Sequence, residues 1–212
     1  LTRAVIKKLI EEIESFYREF DRPIVKVVVP RHAINNGVLS LLVIQGKLGG
    51  VKSRGNVWLS DKRLQEYVQL KPNEVIDERM VRQSLDFMNR NPFRSVEAVY
   101  SPGEIYQTTD IELVVRERSP LRIYTGADNL GLSAIDYTRF FAGFNYGNLF
   151  GCDQILSYQY TTSTDLKSYQ AHTGSYTIPL PWSHVVDFFG GYSTVHTKDM
   201  PPPFTRSRGR SM

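Results

Sequence analysis

Residues 121–196 alternate, and a chain that alternates cannot be helical there. Along 137–163 the sequence reads YTRFFAGFNYGNLFGCDQILSYQYTTS. One parity carries Phe140, Ala142, Phe144 and Tyr146; the other carries Arg139, Gly143, Asn145 and Gly147, with Phe141 out of step. The next run repeats the pattern, with Leu156, Tyr158 and Tyr160 against Ser157, Gln159 and Thr161. A period of two puts each set on one face of a β-strand. Turn residues divide the stretch into five expected strands: 121–128, 137–148, 153–163, 168–178 and 184–195. The dividers are Asp128-Asn129-Leu130-Gly131 and the segments 147–151, 163–165 and 179–181. The fourth strand alternates least well.

Two structures fit such a ribbon: a half-buried soluble sheet, or the wall of a membrane barrel with an apolar outer and a polar inner face. Three features favour the wall. The strands are about ten residues long, the length of a tilted membrane strand. Tyr, Phe and Trp crowd their ends, as in an aromatic girdle. Charge is sparse: 121–196 holds no Glu and a single lysine, Lys167. No stretch of eighteen consecutive apolar residues occurs, so no helix of the chain is expected to cross a membrane.

The composition shifts at Ser119-Pro120. Every Glu and most of the Lys and Arg precede it, and the net charge of +4 is too small to point to a polyanion. Residues 3–20 form an expected amphipathic helix, with Ile6, Leu9, Ile10, Ile13, Phe16, Tyr17 and Phe20 at three- and four-residue steps. Residues 24–29 are a β-branched strand, Asn36-Gly37 a hairpin turn, and 38–44 the returning strand. A second unit follows. A short strand starts at Val51, Ser60 caps a helix running to Val68, and a second helix opens at Asp77 and Glu78 with Met80, Val81, Leu85 and Met88 inward. Strands at 95–100 and 110–116 close it, for an order of β-α-α-β-β. Beyond His196 the pattern is lost, and 197–212 reads as an irregular basic tail. The chain opens at Leu1, inside a helical pattern, and is expected to be a truncated fragment of a longer protein.

Catalytic patterns are missing. His32, His172, His184 and His196 are scattered, no HExxH or GxSxG occurs, and the glycines of KLGGVKSRG lack phosphate-loop spacing. The lone cysteine, Cys152, has no partner for a disulfide or a zinc site. No enzyme activity, cofactor, metal or nucleic-acid partner is expected.

The segment MNRNPFRSVEAVYSPGEIYQTTDIELVV, within 85–115, resembles the second POTRA domain of two-partner secretion transporters of the haemolysin secretion/activation type, and 124–160 is similar to their first barrel strands. The resemblance implies an Omp85-superfamily protein of a Gram-negative outer membrane. The implied fold is α+β POTRA domains followed by antiparallel transmembrane strands of an incomplete barrel, since five strands cannot close one. The implied domains are the end of a first POTRA domain (1–46), a second (47–120), barrel strands (121–196) and the tail (197–212). Periplasmic POTRA domains would capture an unfolded secreted protein of haemolysin or adhesin type, and the barrel, set in outer-membrane lipid, would pass it on. Capture is expected by β-augmentation, in which an extended client adds a strand to a sheet edge. The candidate edges are Ser95, Val96, Glu97, Ala98, Val99 and Tyr100, and Ile24, Val25, Lys26, Val27, Val28 and Val29. Proline at Val99 is expected to weaken capture, and Arg90, Arg94 and Arg116 are candidates to steer an acidic client. Two alternatives stand beside this reading: a barrel-assembly relative, and a soluble POTRA-containing binding module.

Overall fold

A computed structural model describes residues 2–30, 34–35, 38–131 and 137–196. The expected tail at 197–212 and the tip of the first hairpin lie outside them. The described residues fall into two compact units, one of those up to Arg90 with Arg94–Arg116, the other of Asn91–Phe93 with those from Glu117 to His196.

The first unit begins with α1 (Arg3–Glu19), supported by i,i+4 ion pairs Lys7–Glu11 and Lys8–Glu12 on its exposed side. None of its residues is buried, and Phe16 and Phe20, stacked 4.7 Å apart, stay more than half exposed. β1 (Val25–Val28) pairs antiparallel with β4 (Leu42–Gln45). Between them β2 (Ile34–Asn35) and β3 (Val38–Leu39) form a small hairpin, so the expected single return strand is two short ones. Ile24 and Val29 flank β1 rather than belong to it.

β5 (Lys47–Arg54), α2 (Asp61–Tyr67), α3 (Glu78–Met88), β6 (Arg94–Pro102) and β7 (Thr108–Glu117) then follow in the strand-helix-helix-strand-strand order. Their sheet runs β5-β7-β6, with β5 parallel to the central β7. β5 starts four residues before the expected Val51. Lys47 and Leu48 are already in register with Thr108 and Thr109, and the glycine pair is absorbed in an irregularity between Leu48 and Val51. Ser60 caps α2 by accepting from the Arg63 N–H, and Asp77 caps α3 by accepting from Arg79 and Met80.

Both helices pack on the sheet, α2 against β5 and α3 against β6. The core is Leu48, Leu64, Tyr67, Ile76, Met88, Ile111 and Leu113, all 0–1 % exposed. Alternation in β7 sends Ile111, Leu113 and Val115 inward. The inner face of α3 is Val81, Ser84, Phe87 and Met88 rather than the expected set with Met80 and Leu85. Phe87 turns in because its ring meets Tyr67 edge-on at 5.1 Å, and Ser84 is tolerated because its hydroxyl donates to the Met80 carbonyl.

The second unit is one antiparallel sheet of β8 (Leu121–Asp128), β9 (Arg139–Leu149), β10 (Gln154–Ser163), β11 (Tyr169–Pro179) and β12 (Val185–Val195), each beside the next. Its boundaries fall within two residues of those expected. β11 is held by its neighbours rather than by its own pattern: His172 and Gly174 blur the alternation, but eight paired positions with β10 and eleven with β12 fix its register.

The register sorts the side chains. One face carries Ile123, Phe144, Tyr158 and Tyr176, with Phe188 beyond them. The opposite face carries every Asp, Glu, Lys and Arg of these strands: Arg122, Asp128, Arg139 and Asp187. Phe141, out of step in the sequence, lies on the polar face with Tyr124, the rings 6.4 Å apart. There the two rings cover Gly126 and Gly143, where added Cβ atoms would meet Phe141 at 2.5 Å and Tyr124 at 2.7 Å.

The apolar face is bare. Ile123 is 75 % exposed and Phe188 58 %, and the one buried hydrophobic residue described in this unit is Ala171. A soluble sheet hides its apolar face in a core; this one turns it outward, as a wall facing lipid does. The soluble-module alternative has no covering layer to rest on among the described residues. The five described strands leave open edges at β8 and β12, so they form an open sheet and not a closed barrel.

Two outcomes are expected. Leu113→Ala should destabilise the first unit by about 2–5 kcal/mol, read as faster hydrogen exchange across α2, α3 and β5–β7. Phe144→Arg, on the apolar face, should cost about 2–4 kcal/mol in lipid vesicles by denaturant midpoint, whereas Asn145→Arg, one residue on and on the polar face, should cost little.

Candidate functional site

The six expected residues from Ser95 to Tyr100 all lie in β6, which has a single strand neighbour, β7. Main-chain groups of successive strand residues point to opposite sides. The Gly103 N–H donates to the Thr108 carbonyl at the β6–β7 turn, so odd-numbered residues of β6 address β7. Even-numbered residues address the open side. Val96 agrees with this assignment. Its N–H donates to the Asn89 side chain at 2.7 Å, and its carbonyl accepts from the same amide at 3.0 Å. Asn89 therefore occupies the first position of the open edge, and Ala98 and Tyr100 present the next ones.

This parity corrects one expectation. The Val99 N–H faces β7, so proline there would break the sheet's own ladder rather than its open edge. The side chains add detail. Glu97 reaches Arg116 at 3.7 Å, with both groups well exposed. Burial pushes the Tyr100 phenol above its usual pKa; Glu78 adds to the rise and Arg82 opposes it, so the ring stays neutral at the edge.

In the first unit, Val25, Lys26, Val27 and Val28 form β1, whose other side is also without a strand. That side is partly taken: the Val27 N–H donates to the Glu14 carboxylate of α1 at 3.1 Å. Of the two edges, β6 offers the longer open run.

The three arginines expected to steer a client part ways. Arg90 is exposed. Arg116 is drawn toward Glu97. Arg94 is buried, donating from Nε to the Met88 carbonyl at 2.7 Å and lying over the Tyr67 ring, so it holds the fold together and addresses no client.

The tripeptide Asn91-Pro92-Phe93 belongs to the second unit. Asn91 is buried, and its amide donates to the Gly147 carbonyl at 2.8 Å and to the Asp153 carboxylate at 2.7 Å. Its own carbonyl oxygen accepts from the Phe93 N–H. Asp153 sits at φ 62° in the β9–β10 turn, where its N–H donates to Asn148. Sequence reading caught this tripeptide only as part of the segment that carries the family resemblance; its partners lie more than fifty residues away.

Among the described residues no three His, Cys, Asp or Glu side chains are placed to hold a metal. Cys152 is a half-buried free thiol in the same turn.

Residues 107–200 match the family model described as haemolysin secretion/activation protein ShlB/FhaC/HecB. A curated relative, the outer membrane transporter CdiB-2 of Burkholderia pseudomallei (strain 1026b), is 20% identical over 173 residues, which are 81% of this chain and 29% of that protein. Among solved structures, CdiB from Escherichia coli matches 91% of this chain and 36% of its own at a TM-score of 0.79 and 18% identity. CdiB from Acinetobacter baumannii matches 89% of this chain and 35% of its own, at 0.60 and 16%. BamA from Haemophilus ducreyi, in a form lacking POTRA domains 1–3, matches 92% and 37%, at 0.58 and 15%. These structural likenesses speak for the fold. The chain spans 29% of the curated relative and about a third of the solved chains.

Removing the amide of Asn91 should leave the Gly147 carbonyl without that donor and take one from the Asp153 carboxylate. Asn91→Ala is expected to lower stability by about 1–3 kcal/mol, seen as earlier thermal exposure of the Cys152 thiol to a labelling reagent.

Proposed function

We propose that this chain is part of an outer-membrane transporter of the haemolysin secretion/activation type with its α+β unit in the periplasm, that it takes hold of an unfolded secreted protein along β6, and that it hands this client to a barrel of which β8–β12 are one arc. The observation that carries the reading is the pairing, in one chain, of an open strand edge with a sheet whose charges all lie on one face.

Each half supplies one requirement. An unfolded client has no fixed surface, so recognition must rest on its main chain. A strand edge offers main-chain hydrogen bonds at a regular spacing and is tolerant of side chains. The two-faced sheet supplies the other. Its apolar face suits lipid, and its polar face offers hydroxyls and amides (Ser157, Gln159, Thr173 and Ser175) over which a hydrated chain passes without strong capture. No bond is made or broken in this scheme, so no catalytic residue is needed.

The edge reading is tested by proline at Ala98, whose N–H faces the open side and whose loss spares the ladder to β7. With an unfolded polypeptide as ligand, Ala98→Pro should weaken binding about two- to tenfold, the worth of one main-chain hydrogen bond. Circular dichroism should be unchanged. Equal affinity in the folded variant would rule out β6 as the docking strand.

A further inference from the structure

We propose that the polar face of the second unit carries a binding site for an acidic stretch of extended polypeptide, centred on Arg118 and Arg122. A cleft of about 480 Å³ opens there, lined by Phe93, Arg118, Arg122, Asn145, Ile155 and Ser157 among others. Every one of these residues belongs to the second unit.

The charge balance of the polar face singles out Arg122. Asp128 and Arg139 pair with each other at 2.8 Å, and Asp187 accepts from the Thr177 hydroxyl at 2.5 Å. Arg122 makes no ion pair and no side-chain hydrogen bond among the described residues, and neither does Arg118. No carboxylate lines the cleft. Two guanidinium groups four residues apart are thus without a counter-charge among the described residues. A guanidinium offers a planar fork that fits a carboxylate with two parallel hydrogen bonds.

The remaining lining narrows the ligand to a peptide. Asn145 and Ser157 sit opposite each other on β9 and β10 and supply donors and acceptors of the kind a main chain pairs with. Phe93 and Ile155 add apolar wall for a side chain between two acidic ones. A small anion would use the arginines alone; an extended acidic segment would use all three kinds of lining.

The cleft is also held in shape. The Phe93 ring lies against Gly147, at the place where a side chain would otherwise stand. The Arg118 N–H donates to the Phe93 carbonyl at 2.8 Å, and the Gly147 N–H donates to the Pro120 carbonyl at 2.8 Å. Asn91 closes the set through the Gly147 carbonyl. Little ordering is left for a ligand to impose.

The site rests on the proposal that a client crosses the polar face, and it is independent of the β6 edge. The test uses the whole chain in detergent micelles and two fluorescein-labelled peptides, one alternating Glu with Ser and one alternating Gln with Ser, followed by fluorescence anisotropy. The Glu peptide should bind more tightly, and more weakly as salt is raised. Replacing both residues, Arg118→Gln with Arg122→Gln, should weaken the Glu peptide about tenfold and leave the Gln peptide unmoved. Removing the same charge from α3 and the turn after it, by Arg79→Gln with Arg90→Gln, should leave both unchanged. Equal binding of the two peptides, or an equal loss from the control pair, overturns the proposal. Displacement by inorganic phosphate as effective as by unlabelled Glu peptide also overturns it, by making the cleft a general anion site. If the double variant fails to fold, Arg122→Gln alone decides by the same comparison. Ala98→Pro should leave Glu-peptide affinity intact, so failure of the edge and failure of the cleft are told apart.

Discussion

The structure depends on a register. In the five-stranded sheet, each strand's side chains alternate, and the pairing keeps five alternating sets in phase. A slip of one residue in any strand would carry Arg122, Asp128, Arg139 or Asp187, or a polar set such as Ser157 and Gln159, onto the apolar face. In hydrocarbon such a charge costs several kilocalories per mole, whereas in water the slip would cost little. The apolar face therefore works as a proofreading device for strand pairing. It is strongest for β8, β9 and β12, which carry the charges. β10 and β11 carry none and are held by lying between strands that do.

The first unit solves a different problem with the same hydrogen bonds. Its β7 is central and buried through Ile111, Leu113 and Val115, and both helices seal one side. This leaves β6 firmly anchored and yet open along one edge. Open edges invite uncontrolled pairing. Here Asn89 fills the first open position of β6, and Glu14 fills one on β1. Each edge is shortened by one side chain from a neighbouring helix or its end. What remains open on β6 among the described residues is a short run at Ala98 and Tyr100.

Much of this was legible in the sequence wherever the signal was periodic. The five wall strands were placed within two residues because polar and apolar residues alternate over ten positions at a time. Ser60 and the acids at 77 and 78 marked helix starts through local chemistry alone. The misreadings share one cause, a partner far away in the chain. Gly49 and Gly50 were left outside the strand expected from Val51, until β7 ran beside them. Phe87 was left out of the inner face of α3, until Tyr67 met it. Phe141 read as a misfit, although the glycine it lies against, Gly126, was in plain sight fifteen residues earlier. For the candidate site, the sequence located the β6 strand but not its parity, which turns on the Gly103–Thr108 and Val96–Asn89 bonds. Arg118 and Arg122 carried a visible hint in their spacing around Ser119-Pro120. That they lack a counter-ion among the described residues is a property of three dimensions.

The two rings on the polar face bear on how far side chains reach out from the sheet. Phe141 and Tyr124 do not stand upright from the sheet; they recline over Gly126 and Gly143, with the Tyr124 hydroxyl tied to Gln159 at 3.1 Å. An upright ring projects its full length from the sheet, whereas a reclining one adds only its thickness. Aromatic residues in this place thus cover the strands while keeping the reach of much smaller side chains. A side chain at Gly126 would meet the Phe141 ring, and one at Gly143 the Tyr124 ring, so the flat profile depends on two residues that have no side chain of their own.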